Sequence, residues 1–433
     1  MVARAFWLAI LTGPAAAQGM SPFGPNVDTG FQTAFSHPAS LDAVLTYGAG
    51  VTQTADVESS ISTFERLLFY NPKLSRLRFE LCVLYYRLGS YEQARGYFQS
   101  ALEMADITPD LRERTEEFLI AIERKLLPDQ FAGFVQTGAR YQTNASLGPG
   151  PQGILASGQT FNSSFFARPD WNWFAAFGVN YTHDFGTQTG DAFEASLIGS
   201  DAQQFTLHQF DLGLAELRAG PRFAIFPDIV NGASIKPYVV ATGSTLADTV
   251  FNGGVGGGLT IHAPVGTIAA LDPYVEVVEQ GYRNSTFYPL AGGLSGTLAT
   301  YAMQGSGPIL SGLNWQARLA YAHDYAVFTP YAYDAFSADL WLPWHFALPW
   351  DRHVWTLTPS AGVVDWIYSA PDPTINPTVA QRSIEYRFGL GLDVPIADQF
   401  SLGALVQYIM ISSNLPVFSM HDLAVSVGPT LKF

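Results

Sequence analysis

The chain ends in Ser426-Val427-Gly428-Pro429-Thr430-Leu431-Lys432-Phe433, and this stretch decides the fold. Apolar side chains recur at every second position from Leu423 to Phe433. A period of two is typical of a β-strand with one apolar and one polar face. The segment 420–433 is longer than the usual globular strand of about 5 or 6 residues and suits a tilted bilayer crossing. It therefore predicts a membrane-spanning strand.

The same alternation fills the chain after about residue 130, as in 171–182 and 384–394, with Trp and Tyr gathered near segment ends. We predict an antiparallel transmembrane β-barrel of about fourteen strands. The predicted strands are 131–142, 158–168, 171–184, 207–226, 234–246, 249–262, 269–283, 295–305, 312–326, 333–347, 353–368, 382–395, 399–412 and 420–433. The fourth contains Pro221 and could be split. The longer connections 185–206, 284–294 and 369–381 are predicted to be extracellular loops.

Composition agrees with a barrel and excludes other classes. Of 433 residues, 48% are hydrophobic and 14% are charged, against about 25% charged in soluble domains. The net charge of -15 argues against nucleic acid as a partner, because phosphate binding needs a basic surface. The single cysteine, Cys82, excludes an intrachain disulfide and any multi-cysteine metal site. No stretch beyond the N-terminus has the roughly 18 consecutive apolar residues of a spanning helix.

The N-terminus has the layout of a secretory signal. Arg4 precedes the apolar run 6–11, and small residues Ala15-Ala16-Ala17 follow. We predict a signal peptide over 1–17 and a flexible segment over 18–40. The alternative is a buried N-terminal strand.

Residues 41–127 carry helix-period spacing and are predicted to be a short tetratricopeptide-repeat (TPR) α-solenoid, followed by the barrel over 128–433. A repeat of about 34 residues relates Phe98 and Ala101 to Phe64 and Leu67. The residues predicted to pack the repeats or line their groove are Phe64, Leu67, Tyr85, Gly89, Tyr91, Ala94, Phe98 and Ala101. Residues 110–125 are predicted to be a capping helix. Such solenoids present a groove for a protein segment, but a helical spacer is the open alternative.

No catalytic, cofactor or metal motif is found, so an enzyme is not predicted. Tyr181-Thr182-His183-Asp184 and Tyr321-Ala322-His323-Asp324 are alike, and we interpret both as polar strand ends rather than acid–base pairs. The run 253–258 contains five glycines within a strand pattern, which indicates a kink or a close internal approach. Charged side chains predicted on the inward face would line the lumen or form a structural ion-pair network; they are Arg318, Asp339, Glu385, Arg387 and Asp393.

The C-terminal stretch resembles the β-signal of bacterial outer-membrane proteins. The residues that carry the resemblance are Ser426, Gly428, Leu431 and Phe433. It implies the barrel-assembly machinery and outer-membrane lipids as partners. It also implies an outer-membrane location, with the N-terminal domain in the periplasm.

The junction 131–144, Phe131-Ala132-Gly133-Phe134 through Thr143-Asn144, resembles the opening of the barrel in the surface lipoprotein assembly modifier (Slam) family. Two departures are the short helical domain and Gln142, where the family has Asp. The resemblance implies an outer-membrane translocon that moves surface lipoproteins or related secreted protein clients. The repeats would engage the client or a periplasmic factor, and no catalytic residue would be needed.

Two alternatives remain open. One is an outer-membrane exopolysaccharide export channel, a class that tends to have longer solenoids and a strongly charged lumen. The other is a porin with a TPR accessory domain. The strand count does not decide between an open and a filled lumen.

Overall fold

The computed structural model describes residues 61, 64, 65, 68, 75–103, 107–149, 166–187, 189–226, 230, 232–266, 268–351 and 353–433. The predicted signal peptide 1–17, the segment 18–40 and Leu67 lie outside these residues. The described residues divide at Gln130/Phe131 into a helical unit and a β-sheet unit.

The helical unit contains α1 (Ser75–Arg87), α2 (Tyr91–Leu102) and α3 (Pro109–Leu126). Gly89 turns the chain between α1 and α2 with φ +79°, a conformation that favours glycine. The helix predicted over 110–125 is α3; it begins at Pro109, where the missing N–H has no cost, and Thr108 caps it by accepting from the Leu111 N–H. None of the described helices is both long and apolar enough to cross a membrane.

Aromatic side chains form the core of the helical unit. Phe98 is fully buried, stacks on Phe118 with ring centroids 5.1 Å apart and meets Phe79 edge-on at 5.6 Å. Phe64 is also fully buried in this core, as are Ala94 and Ala101 on α2. The small alanines allow α2 to approach its neighbours closely.

Two other residues singled out from the sequence are tyrosines: Tyr85 belongs to this core, and Tyr91 packs against it. The Tyr85 hydroxyl donates to Glu65 at 2.5 Å. Burial and this hydrogen bond raise the pKa of Tyr85. Tyr91 packs edge-on against Tyr86.

The β-sheet unit is a closed antiparallel barrel of fourteen strands within the described residues. Each strand pairs with its sequence neighbours, and β1 pairs with β15 to close the ring. The segments β10 and β11 form one strand interrupted at Leu342-Pro343. The bounds are β1 Asp129–Gln142, β2 Asp170–Asp184, β3 Ala192–Gln204, β4 Leu212–Ala224, β5 Ser234–Leu246, β6 Thr249–Val265, β7 Ala269–Tyr282, β8 Gly296–Leu310, β9 Leu313–Ala326, β10 Tyr333–Trp341, β11 Trp344–Ala347, β12 Val354–Tyr368, β13 Arg382–Ala397, β14 Phe400–Ser413 and β15 Met420–Lys432.

The predicted total of fourteen is confirmed, although one member of the set is wrong. Residues 166–168 of the predicted strand 158–168 are not in a strand, and the residues before them lie outside the described part. The predicted loop 185–206 instead contains β3. That strand has few β-branched or aromatic residues, and pairing with β2 and β4 along its length holds it in the sheet.

The two ends of the barrel differ in their connections. The terminal mouth, where β1 begins and β15 ends, has the short connections 185–191, 225–233, 266–268, 311–312, 348–353 and 398–399. The opposite loop mouth has 143–169, 205–211, 247–248, 283–295, 327–332, 369–381 and 414–419. An even strand number returns both ends of the barrel chain to the same mouth.

The two faces of the barrel wall differ in polarity. Apolar side chains cover the outer face, where Val239, Val255 and Leu319 are each more than half exposed. Alternate positions point inward and carry most of the ion pairs, so the lumen is polar where the outside is apolar.

Candidate functional site

Three charged side chains from neighbouring strands meet on one wall of the lumen, and we call them the Glu194 cluster. Glu194 of β3 accepts from Arg222 Nε of β4 at 2.7 Å and from Lys236 Nζ of β5 at 2.8 Å. The strand registers place all three on the inward face. Their side chains are between 23% and 33% exposed, so the cluster is open to the lumen.

A second group on the same wall is centred on Arg218. Its Nε donates to Glu276 Oε2 at 2.9 Å, and its Nη1 lies 2.8 Å from Glu216 Oε1. The Tyr238 hydroxyl also donates to Glu276, at 3.0 Å. One guanidinium therefore engages two carboxylates that are almost buried, which compensates part of the cost of their desolvation.

The glycine run of β6 makes this arrangement possible. A Cβ at Gly258 would lie 2.5 Å from the Tyr238 hydroxyl, and one at Gly256 would overlap the Val277 carbonyl oxygen. Glycine therefore allows the Tyr238 ring to lie across β6 and reach Glu276 on β7. This is the close internal approach that the sequence indicated.

A cavity of about 530 Å³ opens between these groups in the half of the lumen nearer the terminal mouth. His262 of β6 and Asp272 of β7 also line it and are joined at 2.6 Å through Nδ1 and Oδ1. The cavity volume lies within the roughly 300–1,000 Å³ of small-molecule sites. The full lining is Glu194, Arg218, Arg222, Gly232, Ser234, Lys236, Tyr238, Thr260, His262, Asp272, Tyr274 and Gln304.

Four of the five lumen residues singled out from the sequence lie in one row across β9 to β13. Arg387 Nη2 donates to Asp339 Oδ1 at 2.6 Å, and Glu385 lies 3.6 Å from Arg387 Nη1. Arg387 and Asp339 belong to strands separated by β12, and the inward residue between them is Gly362. A Cβ there would overlap Asp339 Oδ1. Glycine thus lets the ion pair cross β12.

Arg318, the fourth member of this row, and Asp393, which lies outside the row, have different partners. Arg318 lies opposite Asp339 in the β9–β10 register and donates through Nη2 to the Tyr274 hydroxyl at 2.7 Å. Asp393 lies apart, near the terminal mouth, where Lys432 Nζ is 3.2 Å away. The structure therefore separates Asp393 from the row.

Apolar side chains close part of the loop mouth. Leu294, in a short 3-10 helix of the connection 283–295, packs against Leu246 and Phe251 on the strand ends below. Each of the three is at most 4% exposed. The Tyr288 hydroxyl donates to the Gln209 carbonyl oxygen at 3.3 Å, which ties this connection to 205–211.

The β-signal residues form the seam that closes the barrel. Phe433 and Gly133 exchange backbone hydrogen bonds of 2.9 and 3.0 Å. A Cβ at Gly428 would overlap the Thr137 carbonyl oxygen, so the seam admits only glycine at that position without a shift. Ser426 is buried on the inward face, and Leu431 is half exposed on the outer face.

The Tyr-x-His-Asp motif at 321–324 does not bring its own histidine and aspartate together. His323 and Asp324 are consecutive in β9 and therefore point to opposite faces. His323 pairs with Asp334 of β10 at 2.7 Å, and the Tyr321 hydroxyl donates to that carboxylate at 2.6 Å. The residues that the structure describes contain no group of three or more His, Cys, Asp or Glu able to hold a metal ion.

No protein-family model and no curated protein matches the chain. Among solved structures, it is similar to the outer-membrane channel DcaP of Acinetobacter baumannii, with 10% identity and a TM-score of 0.38 over 70% of this chain and 97% of that one. It is also similar to an anion-selective porin from Comamonas acidovorans (10% identity, TM-score 0.34, 70% and 99% coverage). A bacterial polysaccharide outer membrane secretin gives 11% identity and a TM-score of 0.35 over 70% and 98%. Because these TM-scores are low, the likenesses carry no argument about this chain.

Sequence reasoning missed the Glu194 cluster. Arg222 lay within the overlong predicted strand 207–226, and Glu194 lay in the predicted loop 185–206. The signal was the alternation of Glu216, Arg218 and Arg222, which fall on one face of β4.

Proposed function

We propose that the chain is an outer-membrane transport channel whose helical unit lies in the periplasm. The observation that carries this proposal is the closed barrel with an apolar outer face and a charged lumen. A closed barrel leaves no unpaired strand edge in hydrocarbon, and an apolar outside faces lipid at no cost. The terminal mouth would open to the periplasm and the loop mouth to the exterior. Barrel-assembly machinery would insert the chain by reading its C-terminal residues.

The finer proposal is that the channel serves protein clients, namely surface lipoproteins or related secreted proteins. It is supported by the resemblance of 131–144 to the Slam family and by a helical unit directly before β1. The helices would act as a short TPR solenoid that engages the client or a periplasmic factor.

The test compares protease-accessible lipoproteins on cells with the full chain, without the gene, and with residues 41–127 deleted. We expect a lipoprotein to leave the surface in both altered strains while its total amount is unchanged. Heat-modifiable gel mobility should show that the shortened chain still forms a barrel. Unchanged surface lipoproteins in cells without the gene would overturn the client proposal.

A second candidate function, conduction of small polar solutes as in a porin, is favoured by the charged cavity of about 530 Å³. Purified chain in a planar bilayer would then give stepwise ionic currents, and surface lipoproteins would be unchanged in cells without the gene. Loss of extracellular glycan in those cells would instead support polysaccharide export.

A further inference from the structure

We propose that Arg222 and Lys236 form a binding site for a carboxylate or phosphate group of a solute inside the lumen. This inference rests on the proposed channel function and specifies the chemical class of the solute that the lumen binds. It depends on the charge balance, the unused donors and the size of the cavity beside the Glu194 cluster.

The Glu194 cluster has an excess of positive charge. Two cations share one carboxylate, so the three side chains carry one net positive charge. The Glu194 carboxylate holds both cations side by side, because each of its oxygens accepts from one of them. The cluster therefore presents two cationic groups to the lumen of a chain whose net charge is -15.

Both cations keep donors for a ligand. Arg222 uses only Nε on Glu194, and its two Nη groups have no hydrogen bond to any residue in the described part of the chain. Lys236 uses one of its three N–H donors. A free guanidinium edge beside an ammonium group matches the oxygens of a carboxylate or phosphate.

The other carboxylates near the site have hydrogen-bond partners of their own. Asp191, which interacts electrostatically with Arg222, accepts from the Ala224 backbone N–H at 2.8 Å. Asp272 contacts His262 at 2.6 Å, and Glu276 shares Arg218 with Glu216, at 2.9 and 2.8 Å. The other polar side chains of the lining are neutral and can form hydrogen bonds; they are Ser234, Tyr238, Thr260, Tyr274 and Gln304. A polar solute with one anionic group and several hydroxyl or amide groups therefore suits the cavity.

The position of the site suits capture at the terminal mouth. Arg222 and Lys236 lie close to the ends of β4 and β5 at that mouth. Between Ala219↔Val239 and Phe223↔Ile235 the β4–β5 ladder is interrupted, since Pro221 and Pro237 have no N–H to donate. The Glu194 bridge joins β3, β4 and β5 across this gap, so it also keeps the two cations in place.

The experiment uses the purified full chain, with inorganic phosphate as the probe. The reversal potential of the bilayer current under a KCl gradient gives the ion selectivity. Titration with phosphate gives the concentration that blocks half of the current. A second measurement does not depend on any current. It is the shift that phosphate causes in the temperature at which the folded band on the gel converts to the unfolded band. The variants are a double variant, Arg222→Gln with Lys236→Gln, and a single variant, Glu194→Gln. The matched control is Arg382→Gln, an exposed arginine paired with Asp365 outside the lumen.

We expect the double variant to weaken the phosphate effect at least about tenfold and to move the reversal potential toward cation selectivity. Glu194→Gln should move the reversal potential the opposite way, and Arg382→Gln should behave as wild type. Suppose that the wild-type chain gives no current and yet shows a phosphate-dependent thermal shift that the double variant loses. That result would refute conduction but support the binding site. A wild-type phosphate effect equal to that of the double variant would overturn the site.

Discussion

The ion pair that crosses β12 allows a sharp test of how the lumen is packed. Arg387 and Asp339 are each 8% exposed and 2.6 Å apart, with Gly362 between them. A Cβ at Gly362 would overlap Asp339 Oδ1 and lie 3.2 Å from Arg387 Nε. Moving that oxygen to an ordinary contact distance of about 3.3 Å takes the pair beyond hydrogen-bond reach. Gly362→Ala should therefore separate two buried charges.

Separating a buried ion pair costs roughly 3–5 kcal/mol. Arg387 keeps Glu385 as a second partner at 3.6 Å. We therefore expect a loss at the lower end of this range, about 3 kcal/mol of the free energy of unfolding. The assay is urea unfolding of the chain in lipid vesicles, followed by tryptophan fluorescence. The matched control is Gly391→Ala in β13, whose Cβ would meet nothing nearer than Thr358 O at 3.8 Å.

A further variant separates the steric effect from a general effect of alanine. In the Asp339→Ala variant the overlapping oxygen is gone. Adding Gly362→Ala to that variant should therefore lower the free energy of unfolding by less than about 1 kcal/mol more. If Gly362→Ala and Gly391→Ala unfold at the same urea concentration, the ion pair does not hold this wall and the reasoning is refuted.

Three other expectations follow from the seam, the loop mouth and a turn. Phe433→Gln should lower the amount of barrel in the outer membrane, because the terminal ring packs on Gly133 in the seam; normal accumulation on immunoblots would contradict this. Leu294→Ser should loosen the apolar closure of the loop mouth and raise single-channel conductance, and an unchanged conductance would show that the mouth is closed elsewhere. Hydrogen bonds from the His353 backbone N–H and the Trp355 indole lower the pKa of Asp351 to about 2. Since this pKa lies below the unfolded value of about 4, the stabilisation is present above pH 4 and is lost as the pH falls through 2. Asp351→Asn should thus be less stable than wild type at pH 7, with the difference in urea midpoint vanishing towards pH 2; a constant difference would argue against it.

The local pattern was enough to predict most of the barrel. Apolar and polar residues alternate along each strand. They do so because one face of the strand contacts lipid and the other faces a polar lumen, so the sequence pattern has a period of two. Thirteen of the fourteen predicted segments correspond to observed barrel strands for that reason. The strand Ala192–Gln204 was missed because its outer face is weakly apolar, and its two neighbours supply the hydrogen bonds that keep it in place.

The contacts across strands depended on the tertiary structure. The sequence placed Asp339 and Arg387 on an inward face, yet only the register of β10, β12 and β13 brings them to opposite sides of Gly362. In the same way, Glu194, Arg222 and Lys236 are up to 42 positions apart in the chain and meet because three strands align. Side-chain direction follows from a local period, whereas which charges meet depends on strand register and on where glycine leaves room. The sequence by itself therefore determined a barrel with a polar interior, and the tertiary structure decided where its charges pair and where a cavity opens.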